Sequence, residues 1–167
     1  IVLKNLGVKN RALGFVAGFT GEEIEKLVAD HGVDSDFIKL EKGMSRINVK
    51  LKSKEESEIN GMGPDISKVD IEKLYKKLDT LKAGDFVVLA GSIPSTLPDD
   101  IYETIMKDFQ HKEINFVVDA TKDLLLNVLK YKPFLIKPNH HELGEMFNVE
   151  LKNKEEIIIY AKKLQEI

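Results

Sequence analysis

The sequence predicts an α/β fold: a mostly parallel sheet covered by helices on both faces, with a small antiparallel β insert. Three observations carry this. Continuous apolar runs such as Phe86-Val87-Val88-Leu89-Ala90 alternate with segments whose apolar residues recur every three or four positions, the pattern of buried strands joined by helical crossovers. Ser45 to Lys52, by contrast, alternates strictly between polar and apolar residues, which marks a strand with one solvated face. The 167 residues are 43% hydrophobic, enough to bury a core and to exclude disorder as the main state.

Taken in order, Ile1 to Leu6 reads as the end of a helix closed by Gly7. Because the chain begins inside that helix and without Met, further residues are expected upstream. Arg11 to Val16 is a short strand, and Ala17-Gly18-Phe19-Thr20-Gly21 a Gly-punctuated loop. Ile24, Leu27 and Val28 then give Glu22 to His31 a helical period, which Gly32 ends. In the alternating segment, Ile47, Val49 and Leu51 share one face, and Arg46, Asn48, Lys50 and Lys52 the other. Phe37 to Glu41 and Ser57 to Asn60 are its expected partners, joined through Lys42-Gly43 and a polar turn around Ser53 to Glu56. Residues 36–60 are therefore read as an antiparallel lid, and 1–35 with 61–167 as the α/β core.

From Ser67, the residues Val69, Ile71, Leu74, Leu78 and Leu81 restore a helical period. Strands follow at 86–90, 114–118 and 134–136. Between and after them come helices opened by Pro98-Asp99, spanning 122–130, capped by Asn139 and capped by Asn153.

Charge and composition narrow the function classes. With 25 Lys+Arg against 28 Asp+Glu the net charge is −3, which gives no field to attract nucleic acid. The absence of cysteine removes disulfides, thiolate nucleophiles and iron–sulfur clusters, and points to a reducing, cytoplasmic setting. No apolar run approaches the roughly 20 residues that span a bilayer, and the first residues lack the marks of a signal peptide, so no membrane association is expected.

In an open parallel sheet, ligands bind where the strands' carboxyl ends meet the helix N-termini. The loops of interest are therefore Gly18 to Gly21, Gly91-Ser92-Ile93-Pro94, Asp119-Ala120-Thr121 and Lys137-Pro138-Asn139-His140-His141-Glu142. Each has a plainer reading. Gly91-Ser92 can be a tight turn, Asp119 a helix cap, and Lys137-Pro138-Asn139 a strand stop followed by a cap. A lysine buried at a strand end would need an anionic partner. His140, His141 and Glu145 can be read as a metal site, against the plainer reading of a solvated helix start. On the insert, Arg46 and Asn48 share a face, as do Glu58 and Asn60 opposite, either as ordinary solvent-facing residues or as a lid whose Arg46 fork meets phosphate oxygens.

Gly14-Phe15-Val16-Ala17-Gly18, Ser45-Arg46-Ile47-Asn48-Val49-Lys50, Glu58-Ile59-Asn60-Gly61, Gly91-Ser92-Ile93-Pro94 and Lys137-Pro138-Asn139-His140-His141-Glu142-Leu143, in this order and spacing, resemble the ribokinase-like (pfkB-type) carbohydrate kinases. The resemblance implies phosphoryl transfer from ATP, with Mg²⁺, to a hydroxymethyl group of a ketohexose phosphate. Fructose 1-phosphate is the first choice of acceptor and tagatose 6-phosphate the alternative. It implies that Arg46, Asn48, Glu58, Asn60, Gly91 and Ser92 bind the sugar phosphate, that Lys137 and Asn139 lie near the nucleotide phosphates, and that Glu142 holds hydrated Mg²⁺. A homodimer through the lid is implied in the same way.

Ser45 stands where the family has Thr, a mild departure that keeps the hydroxyl, whereas Thr121-Lys122 replaces a small Ser/Gly pair after Asp119, so no contact is carried over from that loop. Two departures are large. The opening strand with its sugar-binding Asp is missing, as is the Gly-Ala-Gly-Asp helix start that carries the general base. Ala83-Gly84-Asp85 imitates the latter, but it lies between a helix and a strand and is read as a turn. The chain is thus expected to be the middle of a kinase whose general base lies beyond Ile167. The other reading is a non-catalytic sugar-phosphate-binding or dimerisation module of the same fold.

Overall fold

Caps written into the sequence set where three of the described helices begin. The computed structural model describes residues 1–52, 56–91, 93–94, 96–120 and 122–167. It contains helices α1 (Val2–Asn5), α2 (Gly18–Asp30), α3 (Lys68–Leu78), α4 (Ile101–Phe109), α5 (Lys122–Leu129), α6 (His140–Met146) and α7 (Lys154–Gln165). At α3 the Ser67 hydroxyl accepts from the Asp70 N–H and the Asp70 carboxylate accepts from the Ser67 N–H, a reciprocal capping box. Asn139 and Glu142 repeat it at α6, and at α7 Asn153 accepts from the Glu156 N–H. The strands are β1 (Arg11–Ala12), β2 (Phe15–Ala17), β3 (Asp34–Ser35), β4 (Ile38–Leu40), β5 (Asn48–Lys52), β6 (Glu56–Asn60), β7 (Phe86–Ala90), β8 (Asn115–Asp119) and β9 (Leu135–Ile136). The chain divides into two compact units, Ile1–Thr80 and Leu81–Ile167.

In the first unit β1 pairs with β3 and β2 with β4, both parallel. Arg11 faces Asp34 and Phe15 faces Ile38, the same offset in each pair, so this is one parallel ladder interrupted at Leu13-Gly14. Two expectations are corrected here. Ile38–Leu40 is not a partner of the alternating strand. It runs parallel to β2 in the core, with Ile38 and Leu40 buried beside Val16 and Ala17. A three-residue apolar stretch carries no mark of its partner, and burial against β2 decides the pairing. Nor is 17–21 a loop, since α2 begins at Gly18.

Two glycines explain that early start. Gly18 sits at φ +58, and a Cβ there would come 2.8 Å from the Gly43 carbonyl. Gly21 is buried within the helix, where a Cβ would meet Val16 at 3.0 Å and the Ser45 hydroxyl at 3.2 Å. The glycines thus serve close packing of α2 on the 43–45 segment rather than a flexible loop. β5 and β6 form the expected antiparallel ribbon, with Asn48 opposite Asn60 and Lys50 opposite Glu58. The turn expected at Ser53 to Glu56 lies mostly outside the described residues.

The second unit is a parallel sheet in the order β7-β8-β9. In-register neighbours share a face, so Leu89, Phe116 and Val118 form one buried layer, while Phe86, Val88 and Leu135 of the opposite face are exposed. Ile101, Ile105, Met106 and Phe109 of α4, with Leu125 and Val128 of α5, complete the core. α4 starts at Ile101 rather than at Pro98-Asp99, and a 3₁₀ turn over Gln110–Lys112 extends it. Ala83-Gly84-Asp85 is the expected turn: the Gly84 N–H donates to the Glu113 carbonyl and the Asp85 carboxylate accepts from the Lys82 N–H.

Leu125 is fully buried. Leu125→Ala is expected to lower stability by about 2–5 kcal/mol in urea unfolding, the range for deleting a buried Leu side chain. Gly18→Ala, forced into a left-handed conformation and against a carbonyl, is expected to cost at least about 1–3 kcal/mol in the same measurement.

Candidate functional site

The candidate residues fall into two groups, one in each unit. In the first unit, Ser45 is buried and tied to the start of α2. Its hydroxyl accepts from the Ala17 N–H at 3.0 Å, its N–H donates to the Ala17 carbonyl at 2.9 Å, and its carbonyl accepts from the Thr20 hydroxyl at 2.8 Å. Arg46 follows directly and is exposed. The Gly61 N–H bonds the Ile47 carbonyl at 3.1 Å and closes the base of the ribbon. Alternation then puts Asn48, Lys50, Glu58 and Asn60 on one polar face.

Within that face Lys50 and Glu58 form an ion pair at 2.7 Å. The hydrogen bond and charge of Lys50, with a smaller contribution from Asn60, hold the Glu58 carboxyl below its ordinary value, and Glu58 in turn raises Lys50. Glu58 therefore has a partner already. The opposite face, Ile47, Val49, Leu51 and Ile59, is exposed throughout, so the ribbon is solvated on both sides where the sequence predicts one.

In the second unit the carboxyl ends of β7, β8 and β9 gather the other residues at one rim. Gly91 follows β7 at φ +92, and Ser92 lies outside the described residues, as does Thr121. Asp119 ends β8 rather than opening a loop, and its carboxylate meets the Lys137 ammonium at 3.0 Å. The Lys137 N–H donates to the Val118 carbonyl at 3.2 Å, which carries the pairing of β8 and β9 up to this residue. The expectation of a buried Lys137 is corrected, because its side chain is 67% exposed. The anionic partner nonetheless exists, and register alone brings it there: the two residues each lie one step beyond the Val118–Ile136 pair.

Asn139 caps α6, and the Glu142 carboxylate accepts from the Asn139 N–H at 2.8 Å. One oxygen of the expected metal ligand is thus engaged in the cap. His140 and His141 stack with ring centroids 3.9 Å apart. Among the described residues, no group of three or more His, Asp or Glu side chains is placed to hold a metal ion. Tyr102, which no sequence pattern singles out, donates from its hydroxyl to the Ala90 carbonyl at 2.9 Å. A lone tyrosine at a helical position reads as core packing, and only the fold brings its hydroxyl to this rim.

The whole of the chain, residues 1–167, matches the profile of the pfkB family carbohydrate kinases. The chain belongs to the pfkB family. It is 47% identical over 165 residues to 1-phosphofructokinase of Bacillus subtilis (strain 168), covering 99% of this chain and 54% of that protein. It is 37% identical over 162 residues to D-tagatose-1-phosphate kinase of Bacillus licheniformis, covering 97% of this chain and 53% of the relative. That relative is named for the 1-phosphate, where the sequence reading takes the 6-phosphate. In structure, this pfkB-family chain is similar to phosphofructokinase-2 of Escherichia coli in complex with fructose-6-phosphate. There the TM-score is 0.85 at 23% identity, over 97% of this chain and 55% of that one. It is also similar to ribokinase of Giardia lamblia, with a TM-score of 0.67 at 13% identity over 93% and 49%. These two likenesses establish the ribokinase-like fold. The chain spans about half the length of the relatives it matches. Among its described residues, no helix is long and apolar enough to cross a membrane.

The Lys50–Glu58 pair gives a signed pH dependence. Glu58 is depressed, so the pair's contribution is present at neutral pH and fades as pH falls through that lowered value. Lys50 is raised, so the contribution fades again only as pH climbs above the ordinary lysine range. Lys50→Met is expected to move the Glu58 carboxyl titration upward, read by side-chain NMR. The effect on stability should be small, because both groups are solvated.

Proposed function

We propose that the protein is an ATP-dependent kinase of a phosphorylated ketohexose, with fructose 1-phosphate as acceptor. The observation that carries this is the gathering of Gly91, the Asp119–Lys137 pair and the Asn139–Glu142 cap at one rim of a parallel sheet. The choice of acceptor is supported by the 47% identity to a 1-phosphofructokinase over 99% of the chain. The 37% identity to D-tagatose-1-phosphate kinase favours tagatose phosphate as the second reading.

Each residue has a role that its chemistry supports. Arg46 and Asn48 on the ribbon, with Glu58 and Asn60, bind the sugar phosphate, Arg46 as a planar fork for phosphate oxygens. A substrate-binding role for Gly91 and Ser92 is supported by the motif Gly91-Ser92-Ile93-Pro94 that follows β7. Lys137 and Asn139 would hold the nucleotide phosphates. The exposed Lys137 ammonium, held by a neighbouring carboxylate rather than buried, suits an anion arriving from solvent. Mg²⁺ keeps several waters and takes only one or two protein carboxylates alongside substrate phosphates. Glu142, oriented by its hydrogen bond to the Asn139 N–H, fits that sparse requirement. When bound, the ion neutralises phosphate charge. The general base is not among the roles assigned to this chain's residues.

Association fits the same ribbon. Its face of Ile47, Val49, Leu51 and Ile59 leaves four apolar side chains in water. A two-stranded ribbon is marginal unless it packs on something, so a homodimer through the lid is part of the proposal.

The full-length protein assayed with ATP and Mg²⁺ is expected to phosphorylate fructose 1-phosphate in preference to tagatose 1-phosphate and tagatose 6-phosphate. Turnover on no ketose phosphate would sink the proposal. Arg46→Ala is expected to raise the KM for the sugar phosphate about tenfold or more while the KM for ATP moves within about twofold. Lys137→Ala is expected to show the reverse split. Equal effects on both substrates would remove these assignments.

A further inference from the structure

The turn after β7 is held by a side chain from the helix that follows it. Tyr102 lies in the first turn of α4, and its hydroxyl donates to the Ala90 carbonyl at 2.9 Å, with the Gly91 carbonyl at 3.2 Å as a second acceptor. Ala90 and Asp119 are the last register pair of β7 and β8. The phenol therefore begins where the ladder stops.

Its own position is fixed from behind. Ile101, Ile105, Met106 and Phe109 anchor α4 in the core of the second unit, so the ring stands on a rigid element and has only two side-chain torsions to lose. At Gly91 itself a Cβ would meet nothing within 4 Å, and the residue sits at φ +92. Burial, and then the negative charge of Asp119, push the Tyr102 phenol up from its ordinary value, which keeps it a donor across the physiological range.

We propose that Tyr102 is a positioning residue: it fixes the turn at Gly91 and, through that turn, the loop that receives the sugar phosphate. The ligand half of this statement rests on the proposed function, whereas the hold on the turn rests on geometry alone. Tyr102→Phe in the full-length protein keeps the ring and removes the donor, and two measurements read the result. In ligand-free protein, amide hydrogen exchange across residues 86–94 is expected to quicken at least about threefold while that across 101–109 stays unchanged. In steady-state assays the KM for fructose 1-phosphate is expected to rise about three- to tenfold, the scale of one net hydrogen bond, with the KM for ATP within about twofold.

Unchanged exchange across 86–94 overturns the positioning role whatever the reaction is. Faster exchange with both KM values unmoved, or moved equally, overturns the link to the sugar phosphate. A wild-type protein inactive on every ketose phosphate defeats the functional reading instead, and the exchange result then decides on Tyr102 by itself.

Discussion

The bonds around Ser45 fix where the ribbon leaves the parallel strands of the first unit, and the candidate residues on the ribbon inherit their placement from it. The hydroxyl, N–H and carbonyl of this buried residue all bond to Ala17 or Thr20. A Cβ at Gly21 would press on Val16 at 3.0 Å and on the Ser45 hydroxyl at 3.2 Å, and one at Gly18 would clash with the Gly43 carbonyl at 2.8 Å. Arg46 is the next residue and β5 begins at Asn48, so a shift at Ser45 would be carried along the ribbon. A buried hydroxyl that lost its partner would bear the full cost of desolvation, about 1–3 kcal/mol, which ties the anchor to the stability of the core. Ser45 supplies the one group its position needs, a hydroxyl that accepts from the Ala17 N–H.

At the rim of the second unit the residues proposed to meet ligands also hold the structure. Glu142 completes the cap of α6 and is also the carboxylate suited to a hydrated cation. Asp119 ends a strand, pairs with Lys137 and lies close enough to Tyr102 to influence its ionisation. Such sharing has a cost in independence, because replacing one of these side chains disturbs the fold around it along with any ligand. Capping boxes restrict the carboxylate's rotamers before a ligand arrives, and that reduces the ordering cost of binding.

Much of this was legible in the chain because the signals are local. Ser67 with Asp70, Asn139 with Glu142 and Asn153 with Glu156 announce helix starts through spacing alone, and the strand at 86–90 is bounded as its apolar run predicts. What escaped depends on register or on distant contacts. Ile38–Leu40 is three residues long, and only burial against Phe15–Ala17 assigns it to the core. Gly18 to Gly21 reads as a loop until the Gly43 carbonyl and Ser45 hydroxyl occupy the space that side chains would need. The partnership of Asp119 and Lys137 requires knowing that β8 and β9 are neighbours. Tyr102 had no signal at all, since the carbonyls it meets are 11 and 12 residues away along the chain.

The tyrosine at the rim has a spectroscopic consequence. This chain contains four tyrosines and no tryptophan, so its intrinsic ultraviolet emission comes from phenol rings alone. Tyr131 shares a hydrogen bond with Glu103, and Tyr160 sits against Phe147 and Lys163, both within the second unit. Tyr102 is the fluorophore whose hydroxyl touches the backbone at Ala90 and Gly91, and peptide carbonyls bonded to a phenol alter how it relaxes after excitation. The turn after β7 thus carries a built-in optical probe of its own backbone, with no attached dye.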